Sequence, residues 1–573
     1  MSRKLLDKAR RRREAERGCH ANPWGGRLSV ALVYPNTYHQ AMSNLGFLTV
    51  YQLLNSRDDT LCERFFLPDS DDLAEHRKTG YPLFSLESGR PLADFDLVSF
   101  SISFENDYLN LPLLFELARI PFWREERGGR YPLILCGGVC AFLNPEPLAD
   151  VMDLFAIGEA EPLLPDLLAV LLEAGPRDKL LNRLAQVPGL YLPSFYTVQQ
   201  RADGSITGVD VSPPAPARVV RRWQADLDAS DARSFVLTPE TELGDMALTE
   251  ISRGCSRGCR FCAAGFLFLP PRERSLENLQ RQVAEGLCHH PKQGLVGAAV
   301  SDYPQLAELE ASILAAGGKV SVASLRIDAL SEKEVAALSA SGHRTVALAP
   351  EAGSQRLRDL INKNLDEEQI LAAVQRLAAA GIPNLKLYFL IGLPGEEESD
   401  IEELLALVGR VREVWLAEGK RRGRLGQITL SVNPFIPKPF TPFQWAAMPA
   451  EALLKARLGQ LRRAIARLGN VELHSESLRA ATLQALLSRG DRRVGRILPA
   501  LASGRPLRAA CAAAGFDPAW FVQRQRAENE IFPWEVLNSG VRREYLWAEY
   551  QRGLARQLSP RCQAGCRRCG VCA

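Results

Sequence analysis

Cys255, Cys259 and Cys262 form a CxxxCxxC set within residues 250–265, directly after a predicted strand. With 13 cysteines among 573 residues, this spacing arises by chance in about one of 150 shuffled chains, so it points to chemistry. Thiolates suit iron–sulfur clusters, and a short glycine-containing loop lets three sulfurs converge on a 4Fe-4S cubane whose fourth iron has no protein ligand. That open iron is the reactive one. Zinc fits less well, because a closed zinc site needs a fourth ligand and none is near.

A second set, Cys562, Cys566, Cys569 and Cys572, lies within the last twelve residues of the sequence. Four thiolates so close together imply a metal, and they satisfy either a second iron–sulfur cluster or a structural zinc. The neighbouring Arg567 and Arg568 would offset thiolate charge, which favours the cluster. The remaining cysteines (Cys19, Cys62, Cys136, Cys140, Cys288 and Cys511) are expected to be ordinary buried thiols.

These sets need a scaffold, and the hydrophobic pattern supplies two. Residues 28–34, 97–103, 132–136 and 154–157 are strand-like runs separated by helical stretches, the rhythm of a doubly wound parallel α/β sheet. Ligands of such sheets sit at the carboxyl ends of the strands, where Ser101, Ser103, Gly137, Gly138, Gly158 and Glu159 fall. Runs at 246–251, 294–301, 319–325, 345–351, 384–396 and 427–435 again alternate with helices. They predict a partial (βα)6 barrel with active groups at its strand ends. The expected division is a basic arm at 1–25, a Rossmann-like domain at 26–200, a linker at 201–245, the barrel at 246–445, a helical region at 446–550 and a metal-binding tail at 551–573.

The net charge of +3 hides an asymmetry, since residues 451–573 carry 21 Lys and Arg against 10 Asp and Glu. Residues 3–17 add a basic stretch that could touch phosphates, although a solvated helical arm is the plainer reading. No apolar run reaches the roughly 18–20 residues that span a bilayer, and no signal-peptide core opens the chain. The expected compartment is the cytoplasm.

Taken in order, the motifs resemble the radical S-adenosylmethionine (SAM) superfamily. The resemblance implies that the open iron chelates the amino and carboxylate groups of SAM, whose reductive cleavage gives methionine and a 5'-deoxyadenosyl radical. It also implies that Phe261 lies against the adenine. Ser301, Asp302, Ser324, Arg326 and Glu351 would take the amino acid and ribose parts, and Gly392, Pro394 and Gly395 of the GLPGE turn would border the adenine. One departure is that the usual GGE after the second barrel strand reads GAAVSD at 297–302.

The preceding domain resembles the cobalamin-binding domain of cobalamin-dependent members of that superfamily. This implies a corrin cupped by Ser101, Ser103, Gly137, Gly138, Gly158 and Glu159. The DxHxxG loop that supplies a lower axial histidine elsewhere is absent; residues 35–46 offer only His39, without its usual neighbours. His39 as an atypical cobalt ligand, a corrin bound with no protein imidazole, or a domain that holds no cofactor are the outcomes this leaves. The leading expectation is a radical enzyme with methylcobalamin as methyl donor to an unactivated carbon, fed by a reductant such as flavodoxin or ferredoxin. Alternatives are a non-methylating rearrangement, a sulfur insertion, or a cofactor-binding or RNA-associated protein. Lys386, Tyr388 and Arg326 are candidate barrel-lumen residues.

Overall fold

The computed structural model describes residues 2–173, 175–244, 246–322 and 325–572. Its N-terminal sheet consists of β1 (Leu28–Tyr34), β2 (Thr60–Phe66), β3 (Leu97–Ser101), β4 (Leu133–Gly137), β5 (Leu154–Ala156) and β6 (Leu190–Tyr191). The strand order is β2-β1-β3-β4-β5-β6, parallel except for β6. Val30, Ala31, Leu32 and Val33 are all completely buried, as befits a central parallel strand covered by helices on both faces. The chain leaves β1 in opposite directions toward β2 and β3, so the crevice between the carboxyl ends of β1 and β3 is the topological switch point.

The basic N-terminal stretch docks on this domain instead of projecting from it. Its helix, Arg3–Ala15, buries Leu5, and Lys8 and Arg12 pair with Asp72, Asp69 and Glu240. Glu16 then meets Arg64, with both side chains fully shielded. Acidic partners already occupy several cations that were candidates for phosphate.

Residues 201–245 are more than a linker. β7 (Tyr196–Gln200) and β8 (Ile206–Val211) form a hairpin, and β9 (Val219–Val220) pairs in parallel with a late strand at Leu537–Asn538. The barrel strands follow: β10 (Ala247–Glu250), the short antiparallel pair β11 (Ser252–Arg253) and β12 (Arg272–Glu273), β13 (Lys292–Val296), β14 (Lys319–Val322), β15 (Thr345–Glu351), β16 (Asn384–Ile391), β17 (Gln427–Pro434) and β18 (Val471–His474). Among the described residues they form two parallel ladders, β10-β13-β14 and β15-β16-β17-β18. The six expected strands are present, and β18 adds a seventh beyond residue 445. At four residues between two helices it is too short for alternation to reveal.

In β16 every second residue is fully buried (Leu385, Leu387, Phe389, Ile391) against the outer helices, whereas Lys386, Tyr388 and Leu390 share the other, half-buried face. β17 repeats the pattern with Thr429, Ser431 and Asn433, so the inner face of the barrel is polar where these strands meet. The region after residue 446 is mainly helical and ties the two sheets together. Asn144 donates to the carbonyls of Ser488 and Gly490, at 3.1 and 2.7 Å. Arg492 pairs with the fully buried Glu146 at 2.9 Å. Arg489 and Arg526 are also buried, so part of the positive charge of this region is internal. No helix among the described residues is long and apolar enough to cross a membrane.

Of the six unclustered cysteines, Cys62, Cys136, Cys140 and Cys511 are buried as expected. Cys19 is only half-buried and Cys288 is exposed.

Candidate active site

The cysteine loop leaves the end of β10 and is braced by the β11–β12 pair. Two glycines shape it. Gly254 (φ +87°) lies so close to Phe268 that a Cβ would stand 2.4 Å from its carbonyl oxygen, and Gly258 (φ +69°) turns the chain into Cys259. Cys259 is buried and Cys255 and Cys262 are half-buried. Burial raises the Cys262 thiol to about 12, with the nearby Cys259 and Cys255 adding to the effect. Burial also raises Cys255, against a backbone hydrogen bond from Arg257. Thiols that are costly to ionise alone become good ligands when a cation takes the proton's place. Three thiols on one loop, each within electrostatic reach of another, fit the donor set of a cubane with one open corner.

The loop is fastened at three points that its sequence does not advertise. Asn362 (φ +57°) is buried and donates to the carbonyls of Arg257 and Gly258, at 3.3 and 3.2 Å. Arg260, completely buried, donates to Glu549 at 3.2 Å and to the carbonyl of Leu360 at 2.9 Å. Arg257 holds Asp302 through Nε at 2.7 Å and Asp328 through Nη1 at 2.6 Å. Each fastening joins residues far apart in the chain, so no local sequence pattern marks it.

Several residues expected to meet the cosubstrate gather beside the loop. Ser301 accepts from the Arg326 backbone N–H at 3.3 Å, and the Arg326 side chain pairs with Asp328 at 2.9 Å. Asp302 is already engaged by Arg257, so it orients the cysteine loop in this arrangement. Ser324 lies outside the described residues. Glu351 ends β15 at φ +67°, next to a register shift against β16, and its carboxylate pairs with Lys363 at 3.2 Å. Non-glycine backbone in this region is strained and recurs at functional sites. At the GLPGE turn, Glu396 folds back to accept the Gly392 N–H at 2.9 Å and pairs with Arg457 at 2.6 Å. The turn is therefore pre-formed, with Gly392 (φ +82°) and Gly395 (φ +68°) on either side of Pro394. Phe261 packs half-buried against the core. On the neighbouring strand, the Lys386 ammonium lies 4.8 Å from the Tyr388 ring centroid.

The loops after the strands of the N-terminal sheet meet this mouth. Phe142 packs edge-on against Phe268, with ring centroids 5.6 Å apart, and Lys438 after β17 pairs with buried Glu105 after β3 at 2.5 Å. Glu159 bridges the same junction. Arg253 and Arg272, the two arms of the β11–β12 brace, reach its carboxylate at 2.6 and 2.8 Å. Burial alone would raise Glu159, but Arg272, Arg253 and the Gln224 N–H hold it below the usual carboxylate range.

Three of the expected corrin contacts are thus taken up by the protein itself. Glu159 clamps the domains together, and Gly158 (φ +127°) lies against Arg222, whose carbonyl oxygen would be 2.0 Å from a Cβ. Gly138 is similarly filled, with Ile102 O at 2.5 Å, whereas a Cβ on Gly137 would find nothing nearer than 3.8 Å. Ser101 and Ser103 remain half-buried at the switch point. Around them stand Tyr34, Asn36, Asn44 and Asp107, with Phe104 42% exposed and the buried Asn106 Oδ1 lacking a partner in the described structure. Burial raises Asp107 to about 6, against the hydrogen bond from Asn36. His39 is exposed on the short helix Tyr38–Ala41, whose Tyr38 packs against Phe66 at the end of β2. The open space at Gly137 and the hydroxyl and amide groups of Ser103 and Asn44 fit a polar group on this edge.

The tail also reaches the site. Cys562, Cys566 and Cys569 line one cleft together with Cys255, Ser256 and Gly258.

Two family models match the chain: "Radical SAM proteins, N-terminal" over residues 46–193 and "Radical SAM superfamily" over residues 249–408, together just over half its length. An uncharacterized protein of Methanocaldococcus jannaschii is 28% identical over 82% of this chain and 90% of its own. A tRNA-2-methylthio-N(6)-dimethylallyladenosine synthase of Trichlorobacter lovleyi is 26% identical over 50% of this chain and 65% of its own. Among solved structures, the radical S-adenosylmethionine methyltransferase TsrM of Kitasatospora setae, with cobalamin and a [4Fe-4S] cluster bound, shares the fold. Its TM-score is 0.51 at 15% identity, over 81% of this chain and 95% of that one.

Proposed function

Because this chain belongs to the radical SAM superfamily, we propose that Cys255, Cys259 and Cys262 hold its 4Fe-4S cluster and that the enzyme methylates an unactivated carbon with cobalamin as methyl carrier. The observation that carries this reading is the meeting of two carboxyl edges, joined through Glu159 with Arg253 and Arg272 and through Phe142 with Phe268. When bound, the cluster held by Cys255, Cys259 and Cys262 would supply an electron for reductive cleavage of SAM, and cobalamin would supply a methyl group that a sulfonium cannot pass directly to an unreactive carbon.

The chain's own residues hold, orient and shield. Phe261, Gly392, Pro394 and Gly395 would border the adenine, with Ser301, Ser324, Arg326 and Glu351 along the rest of the cosubstrate. Asp302 positions the loop through Arg257. Ser101, Ser103 and Gly137 would bear the corrin, while Gly138, Gly158 and Glu159 keep the edge in shape. Lys386 and Tyr388 face the lumen where substrate would lie. The closed seam between the domains would keep water from both reactive centres. The electron would come from a carrier of the flavodoxin or ferredoxin type.

The test is anaerobic reconstitution with iron, sulfide and hydroxocobalamin, followed by turnover with methyl-labelled SAM on metabolite and RNA pools. Labelled methyl in a product together with 5'-deoxyadenosine supports the reading. Sulfur in the product would support the second reading, sulfur insertion, which draws on the partial likeness to the tRNA methylthio synthases. A loaded cluster that yields no 5'-deoxyadenosine with any reductant would overturn both.

A further inference from the structure

The tail copies the cysteine loop. Residues 562–569 read Cys-Gln-Ala-Gly-Cys-Arg-Arg-Cys, and residues 255–262 read Cys-Ser-Arg-Gly-Cys-Arg-Phe-Cys. The spacing, the glycine before the second cysteine and the arginine after it are the same. The backbone agrees as well, because Gly258 and Gly565 both take the left-handed conformation, at φ +69° and +78°. They differ three residues later, where the loop has Gly265 and the tail has Cys572. Three thiolates leave a cubane with an open iron, whereas four close it.

The tail is also fixed against the loop. The Cys562 N–H donates to the Ser256 carbonyl at 2.7 Å, and the two segments line the same cleft. Asn362 bridges them, accepting from the Ser559 N–H at 2.8 Å while donating to Gly258. Arg561 reaches Asp328 at 2.9 Å, the carboxylate that also holds Arg257. On the far side Cys572, Gly565 and Arg567 are exposed. The tail thus spans from solvent to the loop. Arg568 Nε lies 3.4 Å from Cys566 Sγ, a cationic donor of the kind that tunes a cluster's potential. Four thiolates suit either a closed cubane or a zinc, and the copied loop spacing with the adjacent Arg568 favours the cubane.

We propose that Cys562, Cys566, Cys569 and Cys572 bind a second, fully ligated 4Fe-4S cluster through which electrons enter the enzyme. The relay rests on the reading that the loop holds its own cluster. An external one-electron carrier gives up one electron and the tail cluster goes from the 2+ to the 1+ state. That electron passes to the loop cluster, which becomes 1+ as the tail returns to 2+; no bond or proton moves. Because all four tail irons are protein-bound, SAM does not ligate there.

Three reconstituted full-length proteins test this: wild type, Cys562→Ser/Cys566→Ser, and Cys255→Ala/Cys259→Ala/Cys262→Ala. Iron counting is expected to give about eight per chain in the first and about four in each of the others. The reduced loop-only protein should have an electron paramagnetic resonance signal that changes with SAM, and the tail-only protein one that does not. Stopped-flow reduction of the loop cluster by reduced flavodoxin is expected to slow at least tenfold without the tail cluster. Zinc or no iron in the tail-only protein, or an unchanged reduction rate, would overturn the proposal. Cys572→Ala guards against misfolding, as it should keep its tail iron and gain a signal response to added 2-mercaptoethanol; a protein that keeps iron without that response also counts against it. Failure of the loop reading looks different, since tail iron would persist while the SAM response of the loop-only protein is missing.

Discussion

The two parallel sheets turn their carboxyl ends toward each other but use the residues there differently. At the barrel mouth, backbone freedom and charge shape a loop for a ligand: Gly254 and Gly258 bend it, and Arg257, Arg260 and Asn362 hold it from beneath. At the N-terminal edge, much of the same vocabulary serves the seam between domains. Gly158 admits the Arg222 backbone and Glu159 ties down the brace of the cysteine loop, while Gly138 admits the backbone of Ile102 within its own sheet. The comparison teaches that a strand-end glycine or carboxylate marks either a ligand or a neighbour, and only the neighbour's position decides which.

The largest effect expected from this contrast is at the loop. Cys255→Ala/Cys259→Ala/Cys262→Ala should lower 5'-deoxyadenosine formation by at least about a thousandfold, measured chromatographically after anaerobic reduction. Next comes the seam. Glu159→Gln leaves Arg253 and Arg272 short of a buried partner and should cost about 3–5 kcal/mol of stability, read by anaerobic urea unfolding. Because the folded-state pKa of Glu159 is depressed, its contribution is complete above the unfolded-state value of about 4.3 and fades only as pH falls through the lower folded value. The gap between Glu159→Gln and wild type should therefore stay constant from pH 6 to 8 and narrow only in acid; a gap that closes near neutrality would break the assignment.

Smaller still is Gly138→Ala, which drives a Cβ against Ile102 at positive φ and should cost about 1–3 kcal/mol. Gly137→Ala sharpens the comparison from the other side. With open space before it, it should alter stability by less than about 0.5 kcal/mol yet weaken cobalamin uptake, followed by absorbance after gel filtration. Equal losses of stability at the two glycines would mean that Gly137 is also scaffold.

What was legible in the sequence follows the range of the interaction. The cysteine triad, the GLPGE turn and the strand rhythm are local patterns, and the residues they nominated at 302, 351 and 392 lie at or after strand ends, with Asp302 joined to the loop through Arg257. The brace was not legible, because Glu159 and Arg272, or Arg260 and Glu549, lie far apart in the chain and no period links them. Nor was the internal pairing of the basic N-terminal helix, since Lys8 and Arg12 look solvated until Asp69 and Glu240 are placed next to them. The tail's density of thiols was legible; its seat against Ser256 was not.

The central claim is that the loop holds a cluster whose open iron takes SAM. Low-temperature electron paramagnetic resonance of the reduced, reconstituted Cys562→Ser/Cys566→Ser protein, with and without SAM, tests it most directly. The account predicts a reduced-cluster signal whose g-values shift on addition of SAM, with 5'-deoxyadenosine formed on warming. A signal indifferent to SAM, with no 5'-deoxyadenosine, would contradict it.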